Sequence, residues 1–547
     1  LFAQSGSIRG QVLDERGDPI PGASILKVGT TTGTVSDLDG YFTLSASQGD
    51  QIRVSFIGFQ SRTITIGPES SLVINLVTEI TSLNEVIVVG YGTATKKELT
   101  GAVSQVQGEA ITKMNMPRID QALQGKISGV NITTNSGAPG GTSNIRIRGL
   151  GTFGDNDPLI LVDGVIYDAA GLNALNPNDI ESINVLKDGT AGIYGVRAAN
   201  GVILIETKKG SLNSKASVDF SAYYGVQETA RKLNLLNARE YAILKNEAFA
   251  AGGQTPPFNN VNLGTGTDWQ NEVFETAPIQ EYNLTVTGGS EKTSYSIGGS
   301  YFGQQGIVGG PKSNFERYNA RINFTTELAP KVKLTNIFLY THENARGIAQ
   351  GGIGSVLYNT INAYPTEPVF VGNRYSYLEN VADIINPLAQ IENTFNDNFV
   401  NKIVGKEEIS YDINQHFSLN GRAGYNFALV DGKSFSPLVW YGPGKFANTA
   451  RNENLDPVLV DVGGSQIERG ASVFESRNSF LDYNLEAFLN YDRTFNDIHR
   501  FKGTFGVSYF CNRSTGLNGT AFNIPNNDPA FADISANQAP GGFLNNT

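Results

Sequence analysis

Between residues 218 and 509, apolar and polar side chains alternate one by one in a series of separate stretches, and this limits the fold more than any other feature. Val218, Phe220, Ala222, Tyr224 and Val226 alternate with Asp219, Ser221, Tyr223 and Gly225. The same period of two returns at 282–286, 295–301, 318–324, 332–340, 409–411, 417–425, 481–491 and 501–509. Successive side chains of a strand point to opposite faces, so each stretch offers one apolar face. Nine such stretches match the ~9–11 residues that a tilted membrane-crossing strand needs. The connections differ in length: 289–293, 327–331, 412–415 and 494–498 are tight, whereas 228–280, 303–314, 342–398 and 429–479 are long. Tight turns at one rim and long loops at the other separate a membrane barrel from a soluble sandwich, which would have tight turns at both ends.

Composition removes other classes. The net charge is −11 with no polybasic stretch, so phosphate neutralisation does not drive binding to nucleic acid. Gly (62) and aromatics (10%) are too abundant for a disordered acidic chain. One Cys, two Met and three His leave little for a thiol-based or His-rich site. His342, His416 and His499 show no ligand spacing and Cys511 has no partner for a disulfide, so no metal and no cofactor is expected. No window reaches the ~18 apolar residues of a spanning helix, which leaves a soluble protein or a barrel. There is no GxSxG elbow, HExxH or Cys/His pair, and no enzyme is expected.

The chain then divides into five expected segments. Residues 1–6 form a leader: Leu1-Phe2-Ala3-Gln4 reads as the remnant of a secretory signal or as a frayed apolar terminus. Residues 7–78 form a small β-sandwich, with strands spaced by turn clusters such as 17–22 and 37–40. Asp37 and Asp39 belong to a turn rather than a calcium loop, because Gly40 breaks the EF-hand order and Gln48 stands where that loop's glutamate would fall. Residues 79–100 form a tether whose β-branched run at 86–89 is a strand former. That run is an unpaired edge open to another protein, a last strand of the sandwich, or a first strand of the next domain. Residues 101–210 read as an α/β domain with a short helix over 119–126 and strands near 130, 144, 159, 183 and 202. Gly149-Leu150-Gly151-Thr152-Phe153-Gly154 matches GxGxxG, but Pro158 and another strand come next, where a dinucleotide site needs a helix. Residues 211–547 form the barrel portion.

Several strings resemble known families. Pro21-Gly22-Ala23, Ser36-Asp37-Leu38-Asp39-Gly40-Tyr41-Phe42 and Ser55-Phe56-Ile57-Gly58-Phe59 resemble the carboxypeptidase-regulatory-like domain, which carries no catalytic residues. Leu123-Gln124-Gly125-Lys126, Ile145-Arg146-Ile147-Arg148-Gly149, Val162-Asp163-Gly164 and Asp179-Ile180-Glu181-Ser182-Ile183 resemble the plug of TonB-dependent transporters. Leu186-Lys187-Asp188-Gly189, Ile193-Tyr194-Gly195, Arg197-Ala198-Ala199-Asn200-Gly201 and Lys208-Lys209-Gly210 narrow the resemblance to the SusC-like, RagA-type branch of Bacteroidetes.

The resemblance implies that Glu85, Val86, Ile87, Val88, Val89, Gly90, Tyr91 and Gly92 are a TonB box, gripped by strand addition. It further implies a TonB–ExbB–ExbD energy source, a SusD-like surface lipoprotein, an outer-membrane location with plug and sandwich facing the periplasm, and import of an oligosaccharide or peptide. Trp269, Trp440 and Tyr441 in the long loops are weak candidates for stacking on substrate sugar rings, and each reads equally as a rim-anchoring residue. The alternative is a non-transporting surface protein, such as an adhesin or an anchor subunit of a secretion or motility complex. The expected fold is mainly β: sandwich, α/β plug and part of an antiparallel transmembrane barrel. Nine strands is an odd count, and residues 211–547 are too few for the family's closed barrel. The chain therefore reads as an N-terminal portion of a longer transporter, or as one partner of a split barrel.

Overall fold

Alternation over 7–75 closes a sandwich of two sheets. The structure is a computed structural model that describes residues 7–545 except 16, 31, 57, 58, 60, 68–70, 78–85, 90, 91, 96–102, 114, 115, 117, 169, 188, 350, 380–382, 463, 497 and 537–543. Along strands 86–89 and 92–95 it describes the backbone alone. The expected leader, residues 1–6, lies outside the described residues.

The sandwich strands are β1 Ser7–Leu13, β2 Ser24–Lys27, β3 Gly33–Val35, β4 Tyr41–Ser45, β5 Gln51–Ser55, β6 Arg62–Thr65 and β7 Ser71–Asn75. They form sheets β4-β1-β7 and β3-β2-β5-β6. β7, which the turn-spaced pattern did not single out, runs parallel to β1. Val12, Ile25, Ile52, Val54 and Ile74 are fully buried between the sheets, at ~1.5–3 kcal/mol for each side chain. The Asp37 carboxylate accepts from the Asp39 and Tyr41 amides, at 3.1 and 2.8 Å, so it shapes the turn. Gly40 takes φ +76, and a Cβ there would lie 2.6 Å from the Val12 carbonyl oxygen.

Strands β8 Val86–Val89 and β9 Gly92–Thr95 form a two-stranded sheet. The β-branched run is thus paired with the strand that follows it, an arrangement that none of the three readings named, and Gly92 opens that second strand. Glu85, Gly90 and Tyr91 of the expected box lie outside the described residues. The sandwich belongs to one compact unit, and residues 99–547 fall in a second.

In the second unit, β10 Val103–Gln107, α1 Gly108–Thr112, α2 Ile119–Leu123, β11 Val130–Thr134, β12 Ser143–Ile147, β13 Leu159–Val162, β14 Val165–Tyr167, β15 Ile180–Leu186 and β16 Val202–Thr207 build the plug. Its main sheet runs β10-β15-β16-β13-β14, with β13 parallel to β16 and the other pairs antiparallel. β13 and β14 are joined by Asp163 (φ 50) and Gly164 (φ 87), the Asp-Gly pair of a tight hairpin whose two central residues need positive φ. The GxGxxG stretch is a closed loop. The Asn156 side chain accepts from the Gly151 and Thr152 amides and donates to the Thr152 and Gly154 carbonyls, so those amides are not left for a phosphate.

The wall begins with β17 Ser217–Gln227 and a long connection that carries α3 Ala238–Ala251 and α4 Trp269–Val273. β18 Ala277–Gly289, β19 Thr293–Gly306, β20 Gly310–Ala329 and β21 Val332–Arg346 come next. The second long connection holds α5 Val356–Asn362, the hairpin β22 Phe370–Val371 with β23 Arg374–Tyr375, and α6 Pro387–Glu392. β24 Phe395–Asp412 and β25 Phe417–Ser436 lead to the hairpin β26 Val458–Val462 with β27 Ser465–Arg469. β28 Ser472–Phe495, β29 His499–Phe522 and the short β30 Leu544–Asn545 complete it. The long strands pair antiparallel, each with the next.

Two expectations change. The nine long strands run 11 to 24 residues, mostly beyond the lengths expected. Backbone pairing continues past the apolar stretch: on β20, Glu316 and Asn314 extend the face that Tyr318, Ala320 and Ile322 begin. Most of the expected loop 303–314 is strand as well. Gln304 pairs with Phe315 and Gln305 with Asn314, leaving 307–309 as a three-residue turn, because Gly- and Gln-rich sequence reads as loop even where it pairs.

The wall is inside out. On β20, Arg317, Arg321 and Asn323 are buried, while Tyr318 and Ile322 are exposed. Val218, Phe220, Leu284, Ile297, Leu419, Leu485, Phe505 and Val507 are likewise exposed apolar side chains on neighbouring strands. So extensive an apolar surface exceeds the patches found on soluble monomers and fits contact with lipid. Tyr282, Tyr301, Tyr318 and His342 stand opposite one another across four strands, with ring centroids 6.2, 4.9 and 6.1 Å apart. Such a row matches an interfacial aromatic girdle. Among the described residues, no helix is long and apolar enough to cross a membrane.

Candidate functional site: the seam between plug and wall

A polar side chain taken from water needs a partner, and the wall's buried polar face finds its partners on the plug. On β18, Asn283 accepts from Asn176 at 2.8 Å and Glu281 from Asn178 at 2.9 Å. From β20, Arg317 donates to the Asn173 carbonyl at 2.6 Å, and Asn319 to that of Ala174 at 2.7 Å. Arg321 is fully buried, donates to Asp179 at 2.9 Å and reaches the Lys208 carbonyl at 2.6 Å. Asn323 donates to the Thr207 hydroxyl at 2.7 Å. Thr341 of β21 donates to Ala174 at 2.9 Å.

From β24, the Lys402 ammonium lies 2.6 Å from Asp168 and 3.7 Å above the Tyr167 ring. Leu339 and Val404 of the wall join the plug's own apolar core. Plug contacts thus extend from Asn283 on β18 round to Phe510 on β29, over which Arg197 lies at 4.3 Å. Strands spaced ~4.8 Å apart cannot all reach one small domain from a flat sheet, so the wall curves round the plug.

Glycine sets how closely the two approach. A Cβ on Gly210, the plug's last residue, would fall 2.2 Å from the Tyr295 carbonyl oxygen of β19.

The plug's ionised groups are tuned by this setting. Burial pushes the Asp168 carboxyl up, but the Lys402 ammonium outweighs it and holds the group below its ordinary value. Burial and the nearby Asp163 raise Glu206, against the pull of Lys209. Burial opposes charge on Lys209, yet Asp163 and Glu206 outweigh it and raise its pKa.

The three loop aromatics separate. Trp269 is 3% exposed and its indole N–H donates to the Tyr364 carbonyl at 3.0 Å. It packs with Ala363, Leu378 and Ile384, tying the first long connection to the second, so it offers no ring face for stacking. Trp440 is half-buried. Tyr441 lines a loop cavity of about 420 Å³ with Phe395, Phe435, Gln390 and Thr449, and burial pushes its phenol up to about 12. The wall cations Arg317, Arg321 and Lys402 were not among the expected site residues. The available signal was a positive charge on the face opposite the apolar one, repeated at a spacing of four on β20.

Comparison with known proteins agrees with this geometry. Residues 95–202 match the TonB-dependent Receptor Plug Domain, and 8–88 match the CarboxypepD_reg-like domain. The chain is 32% identical to TonB-dependent receptor P26 of Formosa agariphila over 95% of its own length and 50% of that protein's. It is 34% identical to TonB-dependent receptor SusC of Bacteroides thetaiotaomicron over 77% of itself and 44% of that protein. Its fold is similar to that of the RagAB peptide importer in the open-open state, with a TM-score of 0.68 at 21% identity, covering 84% of this chain and 52% of the other. The chain spans about half the length of the curated relatives it matches.

Proposed function

The chain is a SusC-like TonB-dependent receptor sequence with a fold like that of the RagAB importer, and from that premise we propose that it serves active import of a large nutrient across an outer membrane. The observation that carries the reading is a curved wall, apolar outside and polar inside, around a plug held by hydrogen bonds and ion pairs rather than by an apolar interface alone. A polar seam can be re-formed with water when the plug moves, whereas a wholly apolar one would cost far more to open and wet.

The pull comes from the segment around Glu85, Val86, Ile87, Val88, Val89, Gly90, Tyr91 and Gly92. Its strand-forming backbone suits addition to a TonB-like partner driven by the inner-membrane proton gradient. A SusD-like lipoprotein would present an oligosaccharide or peptide at the outer loops, with the plug and sandwich facing the periplasm. Residues 7–78, 79–100, 101–210 and 211–547 then act as sandwich, tether, plug and barrel portion. Deleting 85–92 tests the proposal: uptake is lost while binding of nutrient at the cell surface persists. Unchanged uptake would favour a non-transporting surface protein.

A further inference from the structure

The seam is not uniform. Among the described residues, the hydrogen bonds from plug to wall fall on β18, β20, β21, β24 and, at Asn426, β25. Beyond β14, which packs on β24, β25 and β28, there is a cavity of about 540 Å³ between the plug and β25, β28 and β29. Its plug side carries Asp163, Glu206 and Lys209, and its wall side carries Lys406, Glu408, Arg422 and Glu486.

Each side is paired within itself. Lys209 lies 2.8 Å from Glu206 and 4.0 Å from Asp163. Arg422 lies 2.9 Å from Glu408 and 3.1 Å from Glu486, and Lys406 lies 3.4 Å from Glu408. Among the described residues no ion pair crosses the cavity; Arg197 above Phe510 bridges it by a ring contact.

These two arrangements respond differently to a pull. Separating Arg321 from Asp179, or Lys402 from Asp168, leaves a buried charge without its partner. Separating two surfaces that are each internally paired leaves none, and space for water is already present. We infer that the passage for the imported solute opens on the cavity side, between the Asp163–Glu206–Lys209 face of the plug and the inner faces of β25, β28 and β29, with the Lys406–Glu408 stretch of β24 at its edge. The seam on β18–β21, with the Lys402–Asp168 pair of β24, stays closed and acts as the pivot. This inference rests on the import reading. With Arg197 the passage carries four cations against four anions, and Asn420, Asn484 and Asn490 add neutral donors and acceptors. Such a lining suits a hydrophilic solute of little net charge.

The test uses the protein in its outer membrane with Cys511→Ser as background. Single cysteines replace Asn484 or Asn490 on the cavity side, and Ser296 or Thr341 on the seam. The probe is a membrane-impermeant maleimide–polyethylene glycol added to respiring cells supplied with mixed peptides and oligosaccharides, with and without a protonophore. The expected result is at least tenfold faster labelling of the cavity-side cysteines in energised cells, with the seam cysteines unchanged. Labelling of the seam cysteines, or of both sides equally, overturns the choice of side and leaves import standing. If neither side responds to energisation, both the passage and the import reading fall.

Discussion

Arg321 on β20 and Asp179 in the plug are 142 residues apart in sequence and meet at 2.9 Å, with the guanidinium wholly buried. Removing one partner of a buried ion pair strands the other, at ~3–5 kcal/mol. Arg321→Met should loosen the plug by that order, read as faster proteolysis of residues 101–210 in membrane vesicles. Adding Asp179→Asn should recover part of the loss, because the stranded carboxylate is then neutral. Equal proteolysis of the wild type and Arg321→Met would mean that the pair does not hold the plug.

The Lys402–Asp168 contact makes the seam sensitive to acid. Asp168 is held below its ordinary 3.8 in the native state, so its contribution is complete above that value. It is lost as pH falls from there through the lowered native value. Plug retention measured against pH should weaken in that window. Asp168→Asn should abolish this step and lower stability at neutral pH.

Trp269 should act as a structural residue. Trp269→Ala removes a buried ring that joins two long connections, at ~3–5 kcal/mol. The expected outcome is a lower melting point of the outer loops, with nutrient preference unchanged. Tyr441→Phe, which keeps the ring and removes the hydroxyl from its cavity, should leave the melting point within error.

The wall was legible in the sequence because lipid contact imposes period two directly on the side chains. Val218, Phe220, Tyr318, Ile322, Leu485 and Phe505 are exposed as that pattern requires. The turn at 37–40 was legible because Gly40 is free to take the positive φ that it shows there. The seam was not legible. Arg317, Arg321 and Lys402 occupy the polar half of the same alternation, where a cation facing a plug and one facing open water look alike. Their partners, Asp179, Asp168 and the carbonyls of Asn173 and Lys208, become neighbours only through long-range packing. Trp269 stayed open for a related reason: an aromatic in a polar loop reads the same whether it stacks on a ligand or closes a local core.

The central claim, that the wall faces lipid outside and the plug inside, is tested most directly by spin labels placed one at a time at residues 317–324 in membrane vesicles. Their accessibility to oxygen, which concentrates in lipid, is compared with that to a water-soluble nickel chelate. The account predicts a period of two, with oxygen favoured at 318, 320 and 322 and both reagents excluded at 317, 321 and 323, where the plug covers the strand. Nickel access at the even positions equal to that of a surface loop would place this sheet in water and contradict the account.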